Sequence, residues 1–453
     1  MRLPRPALML AAFRPDHFPT GPVTRKSMSA LSSVRVERAE PQPSFVEFVV
    51  IIAFMMALGS MSIDNLLPAF DAIRDDFGLA STTEVQLILS AYMIGFAVMQ
   101  LFYGPISDIV GRKPILTIGL VVFVVGTLIA LFSFSFPMLL VGRFIQGLGA
   151  ASTRILSVAI VRDRFEGREM ARVMSLTMMV FIIVPIFAPA LGSLFLLVGT
   201  WHTIFVSMLV LAALLALWFG RRMPETLHPE DRMPFSARRI ADGALRCLSQ
   251  RVTLGYATAM GIMFGSLMGY LGSTQQIFET EVYGLGRIFP VVFGSLAAVM
   301  GVASFVNSRL VRGLGMRRLS HGGIIGYVIC AAIMVAAALA YDGKPPFLLF
   351  AAALAGCQFL FSLTMPNFNT MAMEPLGDIA GTASSMIGFY TTILGTLIGL
   401  AISQSFDGTV LPLAFGFLGA GLMTLASVVI TERGRLFQPH HADPGAIAEF
   451  GGH

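Results

Sequence analysis

The sequence predicts an all-α membrane protein of twelve transmembrane helices in two six-helix bundles, and three observations carry that prediction. Only 13% of the 453 residues are Asp, Glu, Lys or Arg, while 55% are hydrophobic. A soluble domain carries roughly 25% charge, so this chain cannot coat a water-facing surface, and its mean hydropathy of +0.77 points to lipid as the solvent. Twelve apolar runs of about 20 residues, the length that crosses a bilayer, follow one another between charged, Pro or Gly breaks. The longest break, 221–251, is rich in Arg and Pro and falls after the sixth run. Together these exclude a soluble enzyme, a disulfide-stapled secreted scaffold and a disordered chain.

The N-terminal segment 1–47 has no run of spanning length and is expected to be a disordered cytoplasmic tail. Ala7–Phe13 makes a poor signal peptide, because Arg14 and Pro15 follow it at once. Met28 stands as an alternative start. The first half, 48–220, holds spans at 48–70, 83–103, 115–135, 138–160, 172–197 and 201–220. After the linker 221–251, the second half, 252–431, holds spans at 252–275, 288–309, 321–341, 345–366, 380–403 and 410–431. A cytoplasmic tail, 432–453, closes the chain.

Orientation follows from the basic residues. With the N-terminus inside, 19 Lys and Arg fall on inward loops and the end of the last span, and only Arg74, Arg287 and Lys344 fall outside. Both termini are therefore expected in the cytoplasm. The formal charge of +5 is an orientation signal and implies no nucleic-acid partner. Cys247, Cys330 and Cys357 are widely spaced and read as isolated thiols, with no disulfide framework and no metal site.

Three charges remain deep in the apolar runs. Asp64 sits in span 1, Arg143 and Arg154 in span 4. A charge at membrane depth is expensive, which makes each a functional candidate. Asp64 and Arg143 lie at similar distances from the outer ends of their spans, so they can meet as a buried pair that protonation of Asp64 interrupts. The alternative is a static pair that locks two helices. Arg154, eleven residues after Arg143, returns to within about 20° of the same face, roughly 16 Å deeper. It either lines a water-filled path or snorkels to the headgroups.

Between spans 2 and 3 the chain reads GPISDIVGRKP, with Gly104 and Gly111 for a tight turn and Asp108 placed to bond Arg112 or a helix N-terminus. Lys113 completes the pattern, which resembles the signature loop of the major facilitator superfamily, where it serves as a gate latch. A degraded copy, RLVRGLGMRR, lies 204 residues later with Arg312 in place of the aspartate, and is expected to have lost the latch. This repeat implies two pseudo-symmetric halves. LLVGRFIQGLGAAS in span 4 resembles the family's proton-coupling motif with Arg143 as its arginine. Gly147, Gly149 and Ser152 sit in an apolar helix with no preceding strand, which argues against a dinucleotide loop. PIFAPALG in span 5, with Pro185, Pro189 and Gly192, resembles the motif of proton-driven exporters. Its helix can bend and pack closely.

With IDNLLP in span 1 and MPNFNTMAMEPLGDIAGTASSMIGFY in the second half, residues 45–435 resemble the Bcr/CflA drug:proton antiporters. The resemblance implies a bacterial inner-membrane, monomeric exporter of lipophilic small molecules. It would use no cofactor and draw its energy from the proton gradient. Asp64 would carry the proton, Arg143 would modulate it, and Asp108 with Arg112 would hold the cytoplasmic side shut. Arg154, and Gln275 with Gln276 in span 7, depart from the pattern and point to an altered substrate.

Polar residues inside spans are candidates to line the cavity: Tyr92, Gln100, Gln146, Arg154, Tyr270, Gln275 and Gln358. For most of them an interhelical hydrogen bond is the competing role. The 27 Met and 37 Phe suit a deformable apolar cavity, although most of them face lipid or pack helices. Gly261/Gly265 and Gly395/Gly399 read as helix-packing pairs. The absence of Walker A, HExxH and GxSxG motifs argues against ATP as direct fuel and against a hydrolase. Two rivals stay open: a proton-coupled uptake permease for a small metabolite, and a non-transporting membrane sensor.

Overall fold

A computed structural model describes residues 43–232 and 237–438. The expectations for the tail up to residue 42, with Met28 as a start, and for the chain beyond 438 lie outside the described residues. The described chain contains helices, turns and loops, with no strand among them.

The twelve long helices are α1 (Phe45–Asp64), α2 (Leu87–Val110), α3 (Arg112–Leu131), α4 (Phe136–Arg164), α5 (Gly167–Val198) and α6 (His202–Arg222). The second set is α7 (Arg251–Thr274), α8 (Phe289–Leu314), α9 (Met316–Ala340), α10 (Phe347–Met373), α11 (Ala380–Gln404) and α12 (Leu411–Thr431). Eleven of these segments are long and apolar enough to cross a membrane, and α5 adds an apolar stretch at Ile183–Val198. Ser44 starts α1 by accepting the Glu47 N–H on its hydroxyl at 3.2 Å, a side-chain cap for an orphan donor. α2, α4 and α8 run past their apolar stretches into charged sequence. Backbone bonding continues in water, so hydropathy marks the bilayer rather than the helix end.

Twelve crossings return the chain to the side on which α1 starts, hereafter the terminal face; the opposite side is the far face. Within the first half α3 and α2 pack on α4, α1 packs on α4, α5 and α6, and α3 packs on α6. Adding six to each number reproduces the packing of the second half: α9 and α8 on α10, α7 on α10, α11 and α12, α9 on α12. The halves meet through α2 against α11 and α5 against α8, a pair of contacts that the same exchange maps onto each other. The two bundles are therefore pseudo-symmetric.

Close approach rests on glycine. A Cβ at Gly147 would stand 2.0 Å from the Tyr92 carbonyl oxygen, and one at Gly149 would stand 2.2 Å from the Phe123 nitrogen. These glycines pack α4 on α2 and α3. Gly261, Gly265, Gly395 and Gly399 likewise line the α7–α11 contact. The linker holds one more helix, Ala237–Ser249. It docks on the second half, with Gly243 against Thr382 and Cys247 in an apolar cluster with Leu376 and Ala383.

Candidate functional site

α1 breaks at Asp64. Pro68 follows four residues on, and the chain passes through Asn65 and Leu66 into a short 3-10 turn, Leu67–Ala69, before a second helix, Phe70–Asp76. Proline lacks an N–H and clashes with the preceding turn, so the last carbonyls of α1 lose helical partners. Arg143, 1% exposed, takes up one of them: its Nη2 donates to the Ser62 carbonyl at 2.9 Å. Its Nη1 donates to Gln146 Oε1, its Nε reaches the Ile88 carbonyl at 3.5 Å, and its guanidinium lies over the Tyr92 ring at 4.5 Å. Gln146 in turn donates to Thr127 at 2.9 Å and to the Met208 sulfur at 3.6 Å. Tyr92 donates to the Gly59 carbonyl at 3.1 Å.

The expected Asp64–Arg143 ion pair is therefore not formed. Among the described residues Asp64 has no cation within 4.0 Å. Arg143 prefers the free carbonyl at the helix end, where the backbone dipole is negative, and it clamps α1, α2 and α4 around the break. Asp64 is buried two residues beyond the Ser62 carbonyl that Arg143 holds.

The α5 motif packs on the same break. A Cβ at Gly192 would stand 2.1 Å from the Asn65 carbonyl oxygen, so only glycine lets α5 sit there. Pro185 is half-buried and Pro189 buried, and α5 stays continuous through both. Between them, Ile186 places its carbonyl 2.9 Å from where a Cβ of Gly294 on α8 would be. One helix thus touches both the break next to Asp64 and the other half.

The turn between α2 and α3 forms a latch inside the first half. Arg112 pairs with Asp108 at 2.5 Å and with Asp163 at the end of α4 at 2.8 Å, and donates to the Ser107 hydroxyl at 2.6 Å. Gly111 has φ 120°, a conformation that needs glycine, and a Cβ there would strike the Glu225 carboxylate at 2.5 Å. Glu225 accepts the N–H groups of Arg112 at 2.9 Å and Lys113 at 3.1 Å, an anion capping the start of α3. Gly104 faces the second half, where its Cβ would stand 2.9 Å from the Ser385 hydroxyl. Asp163 and Glu225 escaped the sequence reading because each is one acid among many loop charges.

The second half keeps a latch, contrary to expectation. Gly315 repeats the positive φ at 77°. Arg317 pairs with Glu374 at 3.1 Å, after α10, and with Glu432 at 3.2 Å, after α12. These positions are pseudo-symmetric with Asp163 and Glu225. Arg312 removed one acid, and the acids of two other helices take its place.

The cavity candidates scatter. Tyr92 and Gln146 are sealed around Arg143. Gln100 bonds Thr392 of α11 at 3.0 Å across the interface. Gln358 is buried with its Nε2 unpartnered, and Tyr270 is buried with its hydroxyl unpartnered and its ring stacked on Phe293 at 6.0 Å. Arg154 and Val158 are exposed on the α4 face whose far end carries buried Arg143 and Gly147. That face opens toward the terminal side and closes toward the far side.

Gln275 and Gln276 do not line an open cavity; they close the far face. Gln275 donates to Asp71 at 2.7 Å. Gln276 accepts from Gln86 at 2.6 Å and donates to the Thr82 carbonyl. Gln404 of α11 donates to the Thr83 carbonyl at 2.6 Å. Each of these bonds joins the first half to the second.

Two repeated six-helix halves clasped at one end, with ionisable groups at a helix break in mid-membrane, define a secondary transporter. Residues 49–400 match the profile of the Major Facilitator Superfamily, and the chain belongs to that superfamily. It is 30% identical over 388 residues to an uncharacterized MFS-type transporter, YdgK, of Bacillus subtilis, covering 84% of this chain and 94% of the relative. It is 29% identical to a bicyclomycin resistance protein homolog of Haemophilus influenzae, over 86% of this chain and 98% of that one. The xylose transporter XylE of Escherichia coli, solved in a partially occluded inward-open conformation, shares the fold. Its TM-score is 0.67 at 11% identity, with 88% of this chain and 99% of that one covered.

Proposed function

We propose that this chain is a proton-coupled exporter of lipophilic small molecules of the Bcr/CflA type, working by alternating access in a bacterial inner membrane. The observation that carries this reading is the buried Asp64 carboxyl at the break of α1. It has no cation partner, it neighbours the Arg143 clamp, and α5 packs against it through Gly192. A carboxyl so placed can take up and release a proton, and each exchange alters the charge next to the helix that contacts the other half. The basic residues crowd the terminal face, which supports cytoplasmic termini. The relative named for bicyclomycin resistance supports a drug-like substrate. Proton flow supplies the energy, no cofactor takes part, and the monomer is the working unit.

Everted membrane vesicles with an acidified lumen test this reading. Radiolabelled bicyclomycin or chloramphenicol, or a lipophilic dye, should enter the lumen as protons leave, and Asp64→Asn should abolish that gradient-driven uptake. Movement of the solute in the same direction as the proton would establish the uptake permease instead. No flux for any probe, together with unchanged behaviour of Asp64→Asn, would favour the sensor.

A further inference from the structure

Buried polar atoms without partners are costly, about 1–3 kcal/mol each, and in a folded protein they are few. Among the described residues ten buried side-chain N or O atoms lack one, and four of them lie within ten residues of one helix: Tyr270 Oη, Thr274 Oγ1, Gln275 Oε1 and Glu279 Oε2. Two more are the amide atoms of Asn65, next to Asp64. Tyr270 lies against Thr274 and Glu279 against Gln275, yet neither contact closes to a full hydrogen bond, and bound water is the smallest group that completes them.

Tyr270 and Thr274, four residues apart, share a face of α7, and Gln275 and Glu279 follow in the next turn. Tyr270 is at the deep end, where Asp64 acts electrostatically on its hydroxyl. Thr274 lies one turn higher. Glu279 is half-buried at the far face, within the electrostatic reach of Asp71, which is itself held by Gln275 and paired with Arg74 at 3.2 Å. Residues 275–280 form a π-helical turn. In an α-helix Glu279 would lie about 140° around the axis from Thr274; the wider π turn brings it back over the same face. The inserted residue thus turns the carboxylate toward the side of the Thr274 hydroxyl. The Tyr270 ring, stacked on Phe293, is held in place.

We infer that Tyr270 and Thr274 of α7 and Glu279 of the π turn that continues it, bridged by bound water, form a proton path from the far face to Asp64, separate from the route of the substrate. The path rests on the role proposed for Asp64 and deepens it. A proton from bulk water is taken by the Glu279 carboxylate and passed to water. The hydroxyls of Thr274 and Tyr270 each accept a proton on oxygen while releasing their own, so they end neutral, and the Asp64 carboxylate is the final acceptor. The glutamine clasp closes the far end to solutes, and the proton path runs beside it, where Gln275 holds Asp71 of the short helix after the α1 break. Asp64 is only 5% exposed in this conformation, so the path does not short-circuit the membrane.

The test is stopped-flow infrared spectroscopy on the full chain in right-side-out membrane vesicles after acidification of the outer medium. The protonated carboxyl band of Asp64 is identified by its loss in Asp64→Asn. Glu279→Gln and the isosteric Tyr270→Phe are expected to slow the rise of that band by about tenfold or more while leaving its final amplitude unchanged. Ser320→Ala, which removes an unpartnered buried hydroxyl elsewhere, should leave the rate alone. Unchanged rates in both α7 variants overturn the path and leave the role of Asp64 standing. A spectrum in which Asp64→Asn removes no band overturns the role of Asp64 and the path with it.

Discussion

Asp64 and Gly192 show how much of the mechanism rests on single atoms. Gly192 is the point where α5 meets the α1 break, and a Cβ there would stand 2.1 Å from the Asn65 carbonyl. Gly192→Ala forces the two helices apart, and overpacking of this kind costs about 1–3 kcal/mol. Its expected outcome is a lower melting temperature in detergent together with loss of proton-driven drug uptake. An equally stable and fully active Gly192→Ala would show that α5 does not report the state of the break. Asp64 and Arg143 were legible in the sequence because a charge inside an apolar run has no cheap explanation. The partner of Arg143 was not legible. It is a backbone carbonyl freed by the helix break, and a carbonyl belongs to every residue type alike.

At the scale of elements, the clasp and the linker helix each give a measurable consequence. Gln276 makes two bonds across the halves, each contributing about 1 kcal/mol net. Gln276→Ala should therefore shift the gate toward far-side opening by roughly tenfold to thirtyfold, since about 1.4 kcal/mol is a factor of ten. Distances between spin labels placed across the far ends of α2 and α7 would report the shift; an unchanged distance distribution would remove the clasp from the gating scheme. Cys247 lies on the linker helix and is buried against Leu376 and Ala383 of the second half, and that burial pushes its thiol up from its ordinary value of 9.0. The thiolate is the reactive form, so while the helix stays docked, maleimide labelling of Cys247 should be slow at pH 7. It should keep climbing with pH beyond the range where an exposed cysteine has levelled off. Peptide mapping by mass spectrometry separates it from Cys330 and Cys357. Labelling at the rate of a free thiol at pH 7 would mean that the helix is undocked.

Across the whole molecule the pseudo-symmetry reaches the charged groups. Arg112 and Arg317 play matching parts, one and two residues after a positive-φ glycine, each held by an acid at the end of α4 or just after α10, with a further acid after α6 or α12 near by. Removing Arg317 takes a charged partner from Glu432, whose side chain is 3% exposed and also accepts from the Tyr256 hydroxyl, and breaking a buried pair costs up to about 3–5 kcal/mol. Arg317→Ala is expected to lower the melting temperature markedly, whereas Arg312→Ala, at an exposed position, should change it little. Equal effects of the two would contradict a second latch. Local comparison of the two loop motifs led to the opposite expectation, because Glu374 and Glu432 lie 57 and 115 residues from Arg317 and only the fold brings them together.

By itself the sequence determined the class of protein, the number and order of the membrane helices, and the residues at which charge is expensive. Those properties follow from local composition: the bilayer charges every residue for its polarity, segment by segment. Tertiary structure alone decided which groups those residues meet. It gave Arg143 a carbonyl in place of Asp64 and turned Gln275 from a cavity candidate into part of a clasp with Gln276. It also rebuilt a latch from distant acids and gathered four unpartnered polar atoms along α7 and the π turn that continues it. Each of these depends on a helix break, a π turn or the docking of one half on the other, and such geometry is set by packing between segments far apart in the chain.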